Sequence, residues 1–479
     1  MNRLRGNPWA ILIVLSLGFF MTLLDLTIVN IAIPSMIDDL HASFDAVLWS
    51  LNGYILVLAA LLITAGRLGD LRGPRQLFAL GVAVFTLASL VCGLVQNPAE
   101  LIAARLVQGV GAALLVPQTM TLIVRAFPAE RRGAALGVWG AVAGVAAVAG
   151  PALGGLLVSE LGWRWIFFVN VPVGAVVLAT VFTVVPDLRQ GGARHRLDFV
   201  GVALSSAAVF CLAFALTEGE RYHWNAVIWG LLFAAAALFA AFAAQQRRRQ
   251  AEEPLVPFQL FHDRNYTVMN AVSASVSIGV LGLMLLLSLY FQSVLHFSAL
   301  KAGLALAPAS AVSMALAPFT GRLSDRIDGK FVLLAGMVLT AVGMLWSALV
   351  MGPATPWAAF VAPMVVVGAG NGCLIAPMAA VAMRGVDPAV VGAASGVLNT
   401  VRQLGSVVGT AAVGALVQVQ TADARSGVST MRTSMALPIT VILLGAVACA
   451  AARRDVSAKP AAEPASAGAA AQDCGRSGG

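Results

Sequence analysis

The sequence predicts an all-α polytopic membrane protein: 14 transmembrane helices forming two six-helix bundles, with two extra helices inserted between them. Three observations carry that expectation: the apolar composition, the placement of the basic residues and an internal repeat. Of 479 residues, 59% are hydrophobic and 11% are charged, less than half the charged share of about 25% usual in soluble chains.

A backbone crossing the hydrocarbon core has no water to bond, so an apolar run of about 18 residues or more reads as a spanning helix. In chain order such runs extend from Trp9 to Ile33, Asp45 to Ala65, Leu77 to Val95, Pro98 to Val124, Gly133 to Val158, Trp165 to Val185 and Phe199 to Thr217. They continue from Asn225 to Ala244, Tyr266 to Phe291, Ala302 to Thr320, Phe331 to Val350, Pro356 to Met383, Val390 to Val419 and Thr433 to Ala452. The first follows Arg3 and Arg5 in the manner of a signal peptide, but it is long for an h-region and no small-x-small cleavage site follows. It is kept as span one.

The even-numbered loops and the two termini hold 23 of the 30 Lys and Arg residues. The odd-numbered loops hold Arg164, Arg221, Lys301, Arg425 and Arg432, while Arg105 and Arg402 lie within spans. Cytoplasmic loops collect basic residues, so both termini are expected in the cytoplasm of a cell-membrane protein. The net charge of +8 is then a topology signal and calls for no nucleic-acid partner.

GRLGDLRGPR (Gly66 to Arg75) returns as GRLSDRIDGK (Gly321 to Lys330), 255 residues on, and GAALGVWG (Gly133 to Gly140) as GAASGVLN (Gly392 to Asn399), 259 on. Gly109 and Gly111 fall on Gly368 and Gly370 at the same offset. Two parallel repeats follow. They are residues 1–190 and 263–453, with spans seven and eight in a 191–262 segment and a disordered cytoplasmic tail, rich in Ala, Ser, Gly and Pro, at 454–479. The five cysteines stand singly and imply neither a disulfide framework nor a metal site.

Asp25 is the acid placed deepest in any span. An intramembrane carboxylate is costly unless paired or protonated, which makes it the candidate proton site, with Arg105 its natural counter-charge. The plainer alternatives are a static Asp25–Arg105 pair, or a carboxylate bonding backbone near the Pro34 end of the helix. Gly140 with Gly144, and Gly150 with Gly154, permit close helix approach in span five, where Pro151 should bend the helix. Ser395, Asn399, Arg402, Gln403, Ser406 and Thr410 form a polar stripe at helical spacing, facing either a wet cavity or a helix contact. Asn30, Gln108, Gln118, Tyr290, Gln292 and Asn371 join Asn399, Arg402 and Gln403 as candidate cavity residues. The five histidines lie apart in or near loops, and no GxxxxGK[ST] phosphate loop occurs, so no catalytic constellation appears.

LDLTIVNIAIP (Leu24 to Pro34), GRLGDLRGPR, RLVQGVGAAL (Arg105 to Leu114), GPALGG (Gly150 to Gly155) and WRWIFFVNVPVG (Trp163 to Gly174) resemble the motifs of the major facilitator superfamily. Together with the two extra spans they are similar to its fourteen-helix drug:proton antiporters. The resemblance implies a cytoplasmic latch at Gly66, Arg67, Asp70, Arg72, Gly73 and Arg75, repeated at Gly321, Arg322, Asp325 and Arg326. There Gly66, Gly69 and Gly73 would make tight turns, and Asp70 would face the start of helix eleven or an arginine across the seam. It also implies an antiporter motif at Gly150, Pro151, Gly154 and Gly155 that packs half against half. Between Asp263 and Asp325, and within span thirteen, there is no Asp or Glu, a departure from members that export divalent cations.

The reading that follows is a proton-driven exporter of lipophilic neutral or monocationic compounds such as drugs, antibiotics or a secondary metabolite. No cofactor is expected; the proton gradient is the energy source. The expected partners are a small lipophilic substrate, the proton and membrane lipid, and the protein is expected to be a monomer. A nutrient symporter on the same scaffold is disfavoured by GPALGG and the fourteen spans. A receptor or channel subunit would not need duplicated latches, and an enzyme is least supported.

Overall fold

The computed structural model describes residues 5–187, 197–250, 252, 254–422 and 427–453. Among these, fourteen helices are long and apolar enough to cross a membrane: α1 (Pro8–Asp39), α2 (Phe44–Arg72), α3 (Pro74–Leu94), α4 (Pro98–Ala126), α5 (Ala129–Glu160), α6 (Trp165–Val184) and α7 (Phe199–Glu218). The series continues with α8 (Ala226–Arg248), α9 (Arg264–Val294), α10 (Lys301–Arg326), α11 (Gly329–Val350), α12 (Trp357–Arg384), α13 (Pro388–Gln418) and α14 (Gly427–Ala450). No strand occurs among the described residues. The 454–479 tail, His195 and Arg425 lie outside them.

The helix starts carry acceptors for the N–H groups that a first turn leaves free. Asn7 accepts from Trp9, Ser43 from Ala46, Asn97 from Glu100, and Asp263 from Asn265 and Tyr266. Pro8, Pro74 and Pro98 stand in first turns, where a missing N–H costs nothing. Several helices outrun expectation, among them α1, which continues through Pro34 to Asp39, α2, through Gly66 to Arg72, and α10, to Arg326. At 1.5 Å per residue α2 is about 43 Å long and crosses the headgroup layer as well as the core. Gly66 and Gly69 are therefore helical and make no turn; only Gly73, at φ 99°, does. α12 is interrupted at Cys373 and Leu374, where the Thr320 hydroxyl donates to the Gly372 carbonyl at 2.6 Å.

Helix contacts repeat themselves when each of α1 to α6 is exchanged for the helix eight places on. α1 packs on α5 and α6 as α9 packs on α13 and α14, and α3 on α4 as α11 on α12. Across the seam, α2 meets α13 and α10 meets α5. α7 and α8 pair with each other, and α7 leans on α2 and α13: Ser206 Oγ donates to Ala60 O at 3.0 Å and Asn52 Nδ2 to Glu218 Oε1 at 2.9 Å. The even-numbered loops fall at one end of the bundle, the basic end.

Candidate functional site

Asp25 lies near the middle of α1 and Arg105 lies in α4; both are 0% exposed. Arg105 and Gln108 stand three residues apart and so share a helix face. Arg105 Nη1 donates to Asp25 Oδ2 at 2.5 Å and to Gln108 Oε1 at 2.7 Å. Gln108 Nε2 in turn donates to Asp25 Oδ1 at 3.0 Å and to Ser89 Oγ at 2.9 Å, and Asn170 Nδ2 of α6 reaches the same Ser89 oxygen at 3.0 Å. Arg105 Nε donates to the Ser50 carbonyl at 3.3 Å, and the guanidinium carbon sits 4.4 Å from the Tyr54 ring centre and 5.7 Å from that of Phe167.

Both carboxylate oxygens are thus occupied by α4 side chains, and the alternative of a backbone partner near Pro34 is not what forms. Attraction and shared hydrogen bonds offset the desolvation of the two charges. Arg105 Nη2, the Tyr54 hydroxyl and Asn170 Oδ1 are buried without a partner among the described residues. Either charge alone would stand uncompensated in this enclosed site, so each depends on the other.

At the basic end, two carboxylates bridge the halves in the same way. Asp70 accepts from Gly392 N at 2.9 Å and Ala393 N at 2.8 Å, in the first turn of α13, and from Arg125 Nη2 at 3.0 Å. Arg125 also donates to the Pro388 carbonyl at 2.9 Å. Asp325 accepts from Gly133 N and Ala134 N of α5, each at 2.7 Å. A helix start favours a carboxylate because its N–H groups are free and its dipole end is positive.

The helix that Asp70 faces is therefore α13, in place of helix eleven, and its arginine comes from its own half. Gly66 lies so close to α13 that a Cβ would stand 2.2 Å from Gly392 O, and Gly321 so close to α5 that one would stand 2.3 Å from Gly133 O. Among the described residues, no other latch side chain hydrogen-bonds to either carboxylate. Arg67 is buried, Arg72, Arg322 and Arg326 are exposed, and Arg75 turns to Val185 O at 3.1 Å and Asp187 at 3.4 Å. Gly392, Ala393, Gly133 and Ala134 were legible only as the starts of the second repeated motif; nothing marked their N–H groups as donors to the carboxylates of the first.

Along α5, the two glycine pairs differ. A Cβ at Gly144 would meet Met314 of α10 at 2.7 Å, across the seam, whereas Cβ atoms at Gly150 and Gly154 would meet Thr27 Oγ1 at 2.0 Å and Ile28 Cγ1 at 2.9 Å in α1. Gly150 and Gly154 therefore pack within one half, correcting the half-against-half expectation, and Gly155 meets nothing within 4 Å. The Pro151 side chain lies outside the described residues; the helix itself continues through that position. The close contacts between halves thus run from the basic end to about Gly144 and Met314.

α13 records the same transition. Residues 391–400 are all buried, whereas Val401 to Leu404 and Ser406 to Val408 are half-buried. Ser395 Oγ donates to Pro117 O of α4 at 3.0 Å, and Asn399 Nδ2 bonds back to Ser395 O at 2.9 Å. Gln118, expected on a cavity wall, is buried between α4 and α2 of the same half, with Nε2 on Ala65 O at 2.8 Å, beneath Gly69. Tyr290 is also displaced from that role: it is buried beside Phe291 and Phe360 with its hydroxyl donating to Gly352 O at 2.6 Å. Asn30 and Gln292 are exposed, each bonding within its own helix, and Asn371, Arg402 and Gln403 are half-buried. A separate apolar cavity of about 340 Å³ lies between α1 and α5, lined by Leu12, Leu17, Phe20 and Val142 among others.

The profile of the family described as the Major Facilitator Superfamily matches residues 15–410. The chain is 42% identical to an uncharacterised MFS-type transporter of Mycobacterium tuberculosis, over 85% of this chain and 70% of that protein. It is 34% identical to the tetracenomycin C resistance and export protein of Streptomyces glaucescens, over 88% of this chain and 78% of that one. Its fold is similar to that of the proton:xylose symporter XylE, with a TM-score of 0.66 at 14% identity, covering 93% of this chain and 96% of the other.

Proposed function

This chain belongs to the major facilitator superfamily, a family of transporters and not of enzymes, and we propose that it is a proton-driven exporter of lipophilic small molecules. The basic end is cytoplasmic by the positive-inside rule, so the conformation described here is closed toward the cytoplasm. Proton entry from the other side reaches Asp25 when its network loosens. Neutralising the carboxylate weakens its hold on Arg105, and the two halves rock about the seam. Release of the proton inward restores the pair.

The observation that carries this reading is the dry, fully enclosed Asp25–Arg105–Gln108 network, since a carboxylate is held so deep only at a cost. Support for export comes from the relative whose name records resistance and export. The test is uphill efflux from proteoliposomes under an imposed pH gradient, with the chain oriented by side-specific labelling. Asp25→Asn keeps size but removes the titratable group, so it should abolish coupled efflux. A variant that still transports uphill removes Asp25 from the mechanism, and inward accumulation with the proton would make the chain a symporter.

A further inference from the structure

A second arginine in the membrane interior has no part in that cycle. Arg402 stands midway along α13. The neighbours of α13 fix which way each face points. Gly396 packs on Leu62 and Ile63 of α2, Gly405 on Ala274 and Gly409 on Ile278 of α9. Leu404 packs against the cluster that Ala59 and Ala60 of α2 form with Val209 of α7, and Ser395 bonds Pro117 of α4. At 100° per residue, Arg402 points within about 20° of Ser395 and lies about 10 Å farther from the basic end. It therefore faces the interior between α4 and α9, not lipid, at the level where the buried seam gives way to half-buried residues.

The guanidinium is half-buried and has no hydrogen-bond or ion-pair partner among the described residues. Among the described residues of 263–453 the acids are Asp263, Asp325, Asp328 and Asp387, all at or beyond helix ends. Asp25 is enclosed by Arg105 and Gln108. An unpaired cation at mid-membrane is as costly as an unpaired carboxylate, and its planar fork is complementary to an oxyanion.

We propose that Arg402 receives an acidic group of the exported compound, which makes the substrate class lipophilic organic anions carrying a carboxylate, sulfonate or phenolate. The inference rests on the exporter reading and narrows it, since the same charge repels the singly cationic compounds otherwise admitted. The membrane potential agrees: a proton moving in and an anion moving out carry charge in the same electrical direction, so the exchange is driven by both.

Two probes with one skeleton test it. 1-Anilinonaphthalene-8-sulfonate carries the acid and N-phenyl-1-naphthylamine lacks it. Fluorescence titration of the full chain in lipid nanodiscs, with empty nanodiscs subtracted, should show the sulfonate bound about tenfold more tightly than the amine. Arg402→Gln should abolish that preference while leaving amine affinity unchanged, and Arg402→Lys, which keeps the charge, should retain a preference. A wild type that binds the sulfonate no better than the amine overturns the inference, as does an undiminished preference in Arg402→Gln. Should Arg402→Gln fail to fold, Arg402→Lys decides: amine binding without sulfonate preference overturns it. Efflux of the sulfonate under a pH gradient tests export separately; its absence in the wild type counts against the exporter reading and leaves the equilibrium preference to be read on its own.

Discussion

Asp25 and Arg105 each make the other tolerable in a site that neither could occupy alone. Removing one member of a buried pair leaves an uncompensated charge and costs about 3–5 kcal/mol, whereas removing both costs less. Asp25→Asn and Arg105→Gln should therefore each lower the thermal unfolding temperature in detergent, and the double variant should melt above either single one. A double variant that melts at the sum of the two losses would mean that the pair is not coupled. Asp25 was legible in the sequence because a carboxylate in an apolar run is rare, and Arg105 because it is the only basic residue in its predicted span. Ser50, Ser89 and Asn170 were not, because a small polar residue in a spanning helix has many bland uses and only packing reveals which one it serves.

At the scale of elements, Asp70 and Asp325 are clasps between a helix end of one half and a helix start of the other. A hydrogen bond to a charged group contributes about 1.5–3 kcal/mol, enough to bias one conformation without making it irreversible. Asp70→Asn and Asp325→Asn should each reduce the transport rate more than equilibrium substrate affinity, and together more than either alone. Large loss of affinity with normal turnover would contradict the clasp. Gly66→Val should have the same effect by preventing α2 from reaching α13, while Gly155→Ala, placed in open space, should be silent.

The inserted helices are tied at their basic end by Asp198, which caps α7 through Gly201 N at 3.0 Å and accepts from Gln246 Nε2 at 2.7 Å and Arg249 Nη1 at 3.1 Å. Burial pushes its carboxyl up, but these donors outweigh burial and hold it below its ordinary value. A folded value below the unfolded one, about 3.9, stabilises at higher pH and is lost as pH falls through the folded value. Asp198→Asn should therefore melt below the wild type at neutral pH, with the gap closing below about pH 4. A gap independent of pH would remove the carboxylate from that joint.

For the whole molecule, the proposed exchange with Asp25 as its one proton site sets what could be driven. A neutral substrate exchanged for one proton gains about 2.3 kcal/mol per 100 mV in addition to about 1.4 kcal/mol per pH unit. A divalent cation would move one net charge against the potential, and at about 100 mV and one pH unit the exchange runs backward. Divalent cations should therefore be exported poorly in proteoliposomes with potential and pH gradient imposed separately. Efficient export against the potential would require a second proton site. The first place to look is Glu218, which the structure shows bonded to Asn52 and Arg221.

Helix number, the repeat and the sidedness of charge were determined by the sequence itself, because lipid admits one answer for an uncharged run of about 20 residues and basic residues sort by side. The two offsets even held the clasps in outline, since Asp70 and Asp325 stand 255 apart and the helix starts they cap 259 apart. Which carboxylate meets which helix start was decided only by tertiary structure, as were the placement of Gly150 and Gly154 against α1 and the burial of Gln118 and Tyr290. Periodicity along one helix states that a face is polar or small. What that face meets depends on how two halves, far apart in the chain, come together, and a single helix carries no record of its neighbour.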